Sequence, residues 1–185
     1  CGEIFLARDV FEKLPDRNLD TWNALITGYA HQNSGLEVLE CFEQMVRQGL
    51  CPDNITLACY FKACGNTGAI NKGRKLHADI EKRLPKTNQI VCNALLDMYA
   101  KCGMLVKAEE VFDKLELHDV ISWNVLIAGY GHARKFVDVL NTFERMIVEG
   151  VEPNASTFVN VLNACNNASL LERGKRYFKE MSVKF

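Results

Sequence analysis

Proline is scarce in this chain, at four residues against twelve glycines, and the β-branched residues are scattered through helical patterns. That combination argues against a β-sheet and for an all-α fold. Charge of one sign is missing too: 22 Lys and Arg face 23 Asp and Glu, for a net charge of −1. The chain is therefore no strongly basic polyanion binder, and any nucleic-acid contact must rest on local arrangement. No apolar run approaches the ~20 residues that would span a bilayer, so no membrane partner is expected. No signal or transit segment is visible. Eight cysteines are present without a single C-x-x-C spacing, and His31, His77, His118 and His132 show no metal spacing. Zinc has no ligand set, no cofactor is implied, and the cysteines are expected to be reduced and mostly buried thiols in an intracellular compartment.

What the chain does have is repetition. Thr21-Trp22-Asn23-Ala24-Leu25-Ile26-Thr27-Gly28-Tyr29 returns 101 positions later as Ser122-Trp123-Asn124-Val125-Leu126-Ile127-Ala128-Gly129-Tyr130. A diverged copy, Cys92-Asn93-Ala94-Leu95-Leu96-Asp97-Met98-Tyr99, precedes the second by 31. Sliding residues 1–84 onto 102–185 matches 26 of 84 positions, among them Cys1/Cys102, Phe11/Phe112, Phe42/Phe143, Gly49/Gly150 and Cys64/Cys165. A period this long divides into helix-pair units of 35, 35 and 31 residues, a stacked array with a shared core strip. Trp22, Leu25, Ile26 and Tyr29 fall on one helical stripe, whereas Asn23 lies about 100° away from Trp22. Packing and polar functions are thus separated on each first helix, and Trp22 and Trp123 are expected to pack between helices.

In order, residues 1–18 form a partial short unit with Ala7, Val10, Phe11 and Leu14 on one stripe. Residues 19–53 form a standard unit whose second helix, about 36–48, turns Leu39, Phe42, Met45 and Val46 inward. Gly49 and Pro52 end it. Residues 54–88 form a longer type of unit, with a helix near 55–64, a turn at Gly65-Asn66-Thr67-Gly68 and a helix near 69–83. Residues 89–119 form a short unit, 120–154 a second standard unit and 155–185 a truncated long one. No linker separates domains, so one array is expected.

The residues resemble pentatricopeptide repeats, in the plant-type subfamily that alternates standard, long and short units. Trp22-Asn23-Ala24-Leu25-Ile26-x-Gly28-Tyr29 with Gly49-x-x-Pro52-Asp53 is similar to the standard unit. Lys62-Ala63-Cys64 and Gly73-Arg74-Lys75-Leu76-His77-Ala78 match the long unit, and Asn93 through Gly103 the short one. The resemblance covers essentially the whole chain. It implies a right-handed superhelical solenoid of helix-turn-helix repeats that binds single-stranded RNA, about one base per repeat read by two or three side chains. The implied readers are the fifth residue of each first helix and the last residue of each unit: Asn23 with Asp53, Asn93 with Asp119, and Asn124 with Asn154. The long unit offers Ala58 and Asn88, a poor reader without a polar fifth residue. Asn followed by Asp implies uracil, and Asn with Asn implies cytosine or uracil. The second residue of a unit implies a wedge between bases, a role for Ile55, Ile90 and Ile121, with Asp20 departing from the pattern.

Spacing alone leaves Asn23 open to a local backbone bond, but its recurrence in register favours base contact. Asp119 is expected to cap the following helix as well as read. The basic run Lys72, Arg74, Lys75, Lys82, Arg83 and Lys86, echoed by Arg173, Lys175, Arg176 and Lys179, is read as a solvated outer face. Subfamily members often carry a deaminase-like extension, whose zinc chemistry needs H-x-E and C-x-x-C; neither occurs here, so this segment is not read as an enzyme. The implied role is the targeting part of a mitochondrial or chloroplast RNA-editing or RNA-processing factor, with other editing factors as further partners and no small-molecule substrate. The competing reading is a tetratricopeptide-like protein scaffold, for which Ile26 stands where that repeat needs Gly and the unit lengths fit badly.

Overall fold

The computed structural model describes residues 2–83 and 88–184; Cys1, Lys86, Phe185 and the side chain of Arg83 lie outside what is described. Among the described residues all regular structure is helical, in eleven elements: α1 (Gly2–Lys13), α2 (Leu19–His31), α3 (Gly35–Arg47), α4 (Asn54–Thr67), α5 (Ile70–Arg83), α6 (Gln89–Lys101), α7 (Leu105–Asp113), α8 (Val120–His132), α9 (Phe136–Val148), α10 (Ala155–Asn167) and α11 (Leu171–Lys184). The chain forms two compact bodies, one ending at Met98 and the other beginning at Tyr99, so the division falls inside α6.

In the first body α2 packs against α3 and α4, α3 against α4, and α1 and α5 against their neighbours. The second repeats the scheme with α7 through α11. Each core grows from the helical stripe. Trp22 is fully buried with its ring edge-on to Phe11 at 4.6 Å between centroids, and Trp123 sits likewise against Phe112 at 4.7 Å. A fully buried Trp of this kind is worth about 3–5 kcal/mol on truncation. Phe42 meets Tyr60 at 4.2 Å, carrying the first core from a second helix to the next first helix. Phe143 performs the same service for Phe158 and Tyr177 at 5.8 and 5.2 Å. Gly73 lies so close to Cys64 and Met98 that a Cβ there would collide with the Met98 sulfur, which fixes the approach of α5.

Three expectations change. α4 runs three residues beyond its expected end, through Gly65-Asn66-Thr67, because the Thr67 hydroxyl bonds the Ala63 carbonyl (2.8 Å) and Gly68, at φ +71°, is what stops it. Val46 is exposed rather than inward, since Val38, Leu39, Phe42 and Met45 set the phase of α3 and Val46 lies one step past the stripe. Val10 is also exposed, while its repeat equivalent Val111 is buried. The seven described cysteines are all free thiols; Cys41, Cys64 and Cys165 are buried, Cys51 is exposed and the others are half-buried.

The hairpin turns depend on left-handed residues. The N–H groups of Ser34, Met104 and Lys135 reach back to the carbonyls of Tyr29, Tyr99 and Tyr130 at 2.9–3.0 Å, closing the first helices. Each closure needs positive φ at the residue before: Asn33, Gly103 and Arg134. Asn and Gly tolerate that region, but Arg134 at φ +58° meets a Cβ clash there. Replacing Arg134 by Gly is therefore expected to stabilise the fold by about 0.5–1 kcal/mol, read as a higher urea midpoint. An unchanged or lower midpoint would show that no strain is held at this turn.

Candidate nucleic-acid interface

A helix start leaves backbone N–H groups without partners, and here the last residue of the preceding unit supplies the acceptor. Asn18, Asp53, Asp119 and Asn154 all take extended backbone and cap α2, α4, α8 and α10. Asp53 Oδ1 accepts from the N–H of Ile55 and of Thr56, both at 2.9 Å. Asp119 Oδ1 accepts from Ser122 N–H at 2.7 Å, and Asn154 Oδ1 from Thr157 N–H at 3.0 Å. Asn88 Oδ1 accepts from Ile90 N–H at 2.8 Å.

Two of these caps, Asp53 and Asn154, also turn back to the fifth position of their own unit. Asn23 Nδ2 donates to Asp53 Oδ2 at 2.7 Å, so one carboxylate oxygen serves the helix and the other the amide. Partial burial alone would raise the Asp53 carboxyl, but hydrogen bonds from Thr56 N–H, Asn23 Nδ2, the Thr56 hydroxyl and Ile55 N–H outweigh it and hold the group below the ordinary carboxylate value. In the second body Asn124 Nδ2 donates to Asn154 Oδ1 at 3.1 Å. The local-backbone alternative for Asn23 and Asn124 is thus replaced by a pairing across about thirty residues. Asn93 is half-buried on α6 with Gln89 Nε2 at 3.4 Å from its Oδ1, while Asp119 caps α8 in the other body. Ala58 is half-buried on α4 and Asn88 is exposed.

Beside these caps stand unpacked apolar side chains. Ile55, Ile90 and Ile121 are 53%, 63% and 57% exposed, two residues after Asp53, Asn88 and Asp119. Each of these large aliphatic groups faces solvent beside a polar cap residue, the opposite of the fully buried Trp22 and Trp123. Asp20, at the equivalent place on α2, is exposed and carries no such surface. Of the described basic residues, Lys72 pairs with Glu43 of α3 at 2.8 Å, Lys175 with Glu172 at 2.9 Å, and Arg74, Lys75, Lys82, Arg173, Arg176 and Lys179 are exposed. His118 stacks on Phe112 at 4.1 Å and bonds Glu149 at 2.9 Å, a packing role, and no cluster able to hold a metal occurs among the described residues.

Thr157 also belongs to this site. Its hydroxyl donates to Asn124 Oδ1 at 2.7 Å and accepts from Asn154 N–H at 3.1 Å, completing a capping box. The Asn154-x-x-Thr157 spacing is itself a helix-start pattern, so the cap was readable; the link to Asn124 was not.

Comparison with known proteins places this geometry in a family. The model described as "PPR repeat family" matches residues 17–66 and 118–167, and that described as "PPR repeat" matches 90–120. A mitochondrial pentatricopeptide repeat-containing protein of Arabidopsis thaliana is 38% identical over all of this chain and 40% of its own length. A chloroplastic one from the same plant is 36% identical over 98% of this chain and 25% of its own length. The chain thus spans well under half of these curated relatives. Among solved structures, the maize pentatricopeptide repeat protein PPR10 superposes with a TM-score of 0.75 at 23% identity, over 99% of this chain and 27% of its own. Its complex with an 18-nt psaJ RNA element gives 0.73 at 18% identity, over 96% and 27%. These likenesses concern the fold.

The doubly used Asp53 generates a pH-dependent expectation. A carboxyl held below its ordinary value stabilises the fold above the unfolded-state value, and that contribution fades as pH falls through the folded-state one. Asp53→Ala is expected to cost about 1 kcal/mol at neutral pH. The gap from the parent should narrow below about pH 4, as the parent's carboxyl takes up its proton. Urea unfolding at several pH values measures this; a gap independent of pH would remove the charge from the account.

Proposed function

The chain belongs to the pentatricopeptide repeat family, and from that membership we propose that it binds single-stranded RNA by matching successive helix-pair units to successive nucleotides. The units are 19–53, 54–88, 89–119, 120–154 and 155–185, preceded by the partial unit 1–18. The observation that carries the reading is the Asn23–Asp53 pair, held at 2.7 Å beside the exposed Ile55. One amide hydrogen of Asn23 is committed to Asp53, and its second remains a donor. Asp53 Oδ2, bonded by that one donor, retains acceptor capacity. A donor beside an acceptor suits uracil, whose N3–H is flanked by carbonyl oxygens. A carboxylate, which only accepts, is ill matched to the bare N3 of cytosine. Ile55 offers the base an apolar face to lie against.

Family resemblance, by unit position alone, gives Asn93 with Asp119 to uracil, and Asn124 with Asn154 to cytosine or uracil. Ala58 with Asn88 has only one polar member and discriminates weakly. The proposed register is U, weak, U, then C or U, running 5′ to 3′ with the chain. Ile90 and Ile121 are the corresponding wedges. The RNA complex of the maize relative supports RNA as the ligand. Relatives named as mitochondrial or chloroplastic support an organelle as the site of action, where the whole protein would serve as the targeting part of an RNA-editing or RNA-processing factor.

Gel shifts with short single strands test this directly: base-dependent binding of pyrimidine-containing strands is expected, and indifference to every RNA would leave a protein scaffold. Asn93→Thr is expected to move preference at one RNA position from pyrimidine toward purine and to leave the others alone; an equal loss for all sequences would make Asn93 structural. Ile121→Ala should weaken every sequence alike, by less than the roughly 1–3 kcal/mol that an aromatic platform contributes per base. A selective effect on one base would contradict the wedge role.

A further inference from the structure

We propose that the buried hydroxyl of Thr157 is the positioning group that sets base preference in the unit 120–154, by turning the Asn124–Asn154 pair into a surface that only donates. The inference rests on the RNA-reading proposal and narrows it. Thr157 is fully buried, and its hydroxyl lies 2.7 Å from Asn124 Oδ1. The same oxygen accepts from Asn154 N–H, so its single proton is directed to the nearer acceptor, Asn124 Oδ1, rather than to Asn154 Oδ1 at 3.1 Å. The Asn124 amide is thereby held with its oxygen toward the buried hydroxyl and its nitrogen toward Asn154.

The consequence passes to Asn154. Its Oδ1 accepts from Thr157 N–H at 3.0 Å and from Asn124 Nδ2 at 3.1 Å, which uses both lone pairs. Asn124 Oδ1 is turned in toward the buried Thr157 hydroxyl, where only its second lone pair is left over. The groups turned toward a base are the second amide hydrogen of Asn124 and the two amide hydrogens of Asn154, all donors. Cytosine brings neighbouring acceptors, N3 and O2, to such a surface. Uracil brings an N3–H, which would face another N–H. The pair therefore favours cytosine, and does so only while Thr157 holds the amide.

The equivalent position 101 residues earlier supplies an internal control. Thr56 is equally buried, yet its hydroxyl bonds Asp53, at 3.0 Å to the carbonyl and 3.2 Å to Oδ1. Asn23 Oδ1 is buried there without a hydrogen-bond partner. That amide is held only through its nitrogen, by the carboxylate. The same threonine thus orients the reading amide in one standard unit and leaves it alone in the other.

The test uses the whole chain and fixed-context RNA strands that vary only at the nucleotide facing unit 120–154, with affinity read by fluorescence anisotropy. The parent is expected to prefer cytosine over uracil by about tenfold. Thr157→Val and the smaller Thr157→Ala, both without the hydroxyl, should bring the two affinities within about twofold. Thr157→Ser should restore the preference. Thr56→Val should leave the base preference of unit 19–53 unchanged. Retained discrimination in the Val and Ala variants would overturn the proposal, as would an equal loss at unit 19–53 in Thr56→Val, which would reveal a general capping effect. A parent that binds RNA with no base preference at this position, or none at all, would overturn the reading on which the proposal rests and the proposal with it.

Discussion

The hydrogen bond from a unit's last side chain to the first turn of the next helix is the constraint on which the rest of this structure depends. A helix start needs an acceptor, and a short Asp or Asn on extended backbone supplies it well. Asp53, Asp119 and Asn154 do this at the starts of α4, α8 and α10. Because the cap fixes the side chain's first oxygen, the remaining atoms of the carboxylate or amide are presented in a set direction. In the pairs Asn23–Asp53 and Asn124–Asn154 that direction is toward the fifth residue of the same unit's first helix. On the proposed reading, fold and recognition draw on the same few atoms, and the exposed Ile55 and Ile121 are placed by the same helix starts.

Behind this surface the core is free to vary, and the two standard units show how. In the first, the indole N–H of Trp22 donates to Gln48 at 3.2 Å. In the second, Glu149 replaces Gln48, and its carboxylate is taken by His118 at 2.9 Å and Arg145 at 3.0 Å. The Trp123 N–H is left buried without a partner, a debit of about 1–3 kcal/mol. The His118 bond, with a smaller contribution from Arg145, holds Glu149 below the ordinary carboxylate range even against some desolvation. Arg145 also lies over the rings of Phe112 and Trp123 at 5.5 and 5.3 Å. One buried bond has been exchanged for a charged and aromatic cover over the same tryptophan.

Much of this was legible in the residues. The stripe of Trp22, Leu25, Ile26 and Tyr29 declares a helix face, because only a period near 3.6 brings those positions together. Gly49 and Pro52 mark an ending, and Asp119 reads as a cap from its place before a helical pattern. What could not be read depends on rotamers or on fine phase. Nothing in an Arg or a Ser signals a left-handed turn, yet Arg134 and Ser169 take φ +58° and +57° where their counterparts Asn33 and Gly68 sit at ease. Val46 lies one residue from a buried methionine, and a shift of 100° decided its exposure. The contact of Thr157 with Asn124 joins positions 33 apart through one hydroxyl proton, which no spacing rule encodes.

The shared cap also says where such an array divides. A cut at the end of a unit, between Asp53 and Asn54, would leave the Asp53 side chain with its own Asn23 but hand the next helix a foreign first-turn acceptor. Grafted modules joined there would couple each donor sequence's recognition chemistry to another's helix nucleation. A seam inside a hairpin, at the left-handed Asn33, keeps the Asp53 cap, its helix and Ile55 on one piece but parts Asn23 from Asp53. The helix-start unit thus runs from turn to turn while the Asn–Asp or Asn–Asn pair lies within the formal repeat, so no single seam preserves both.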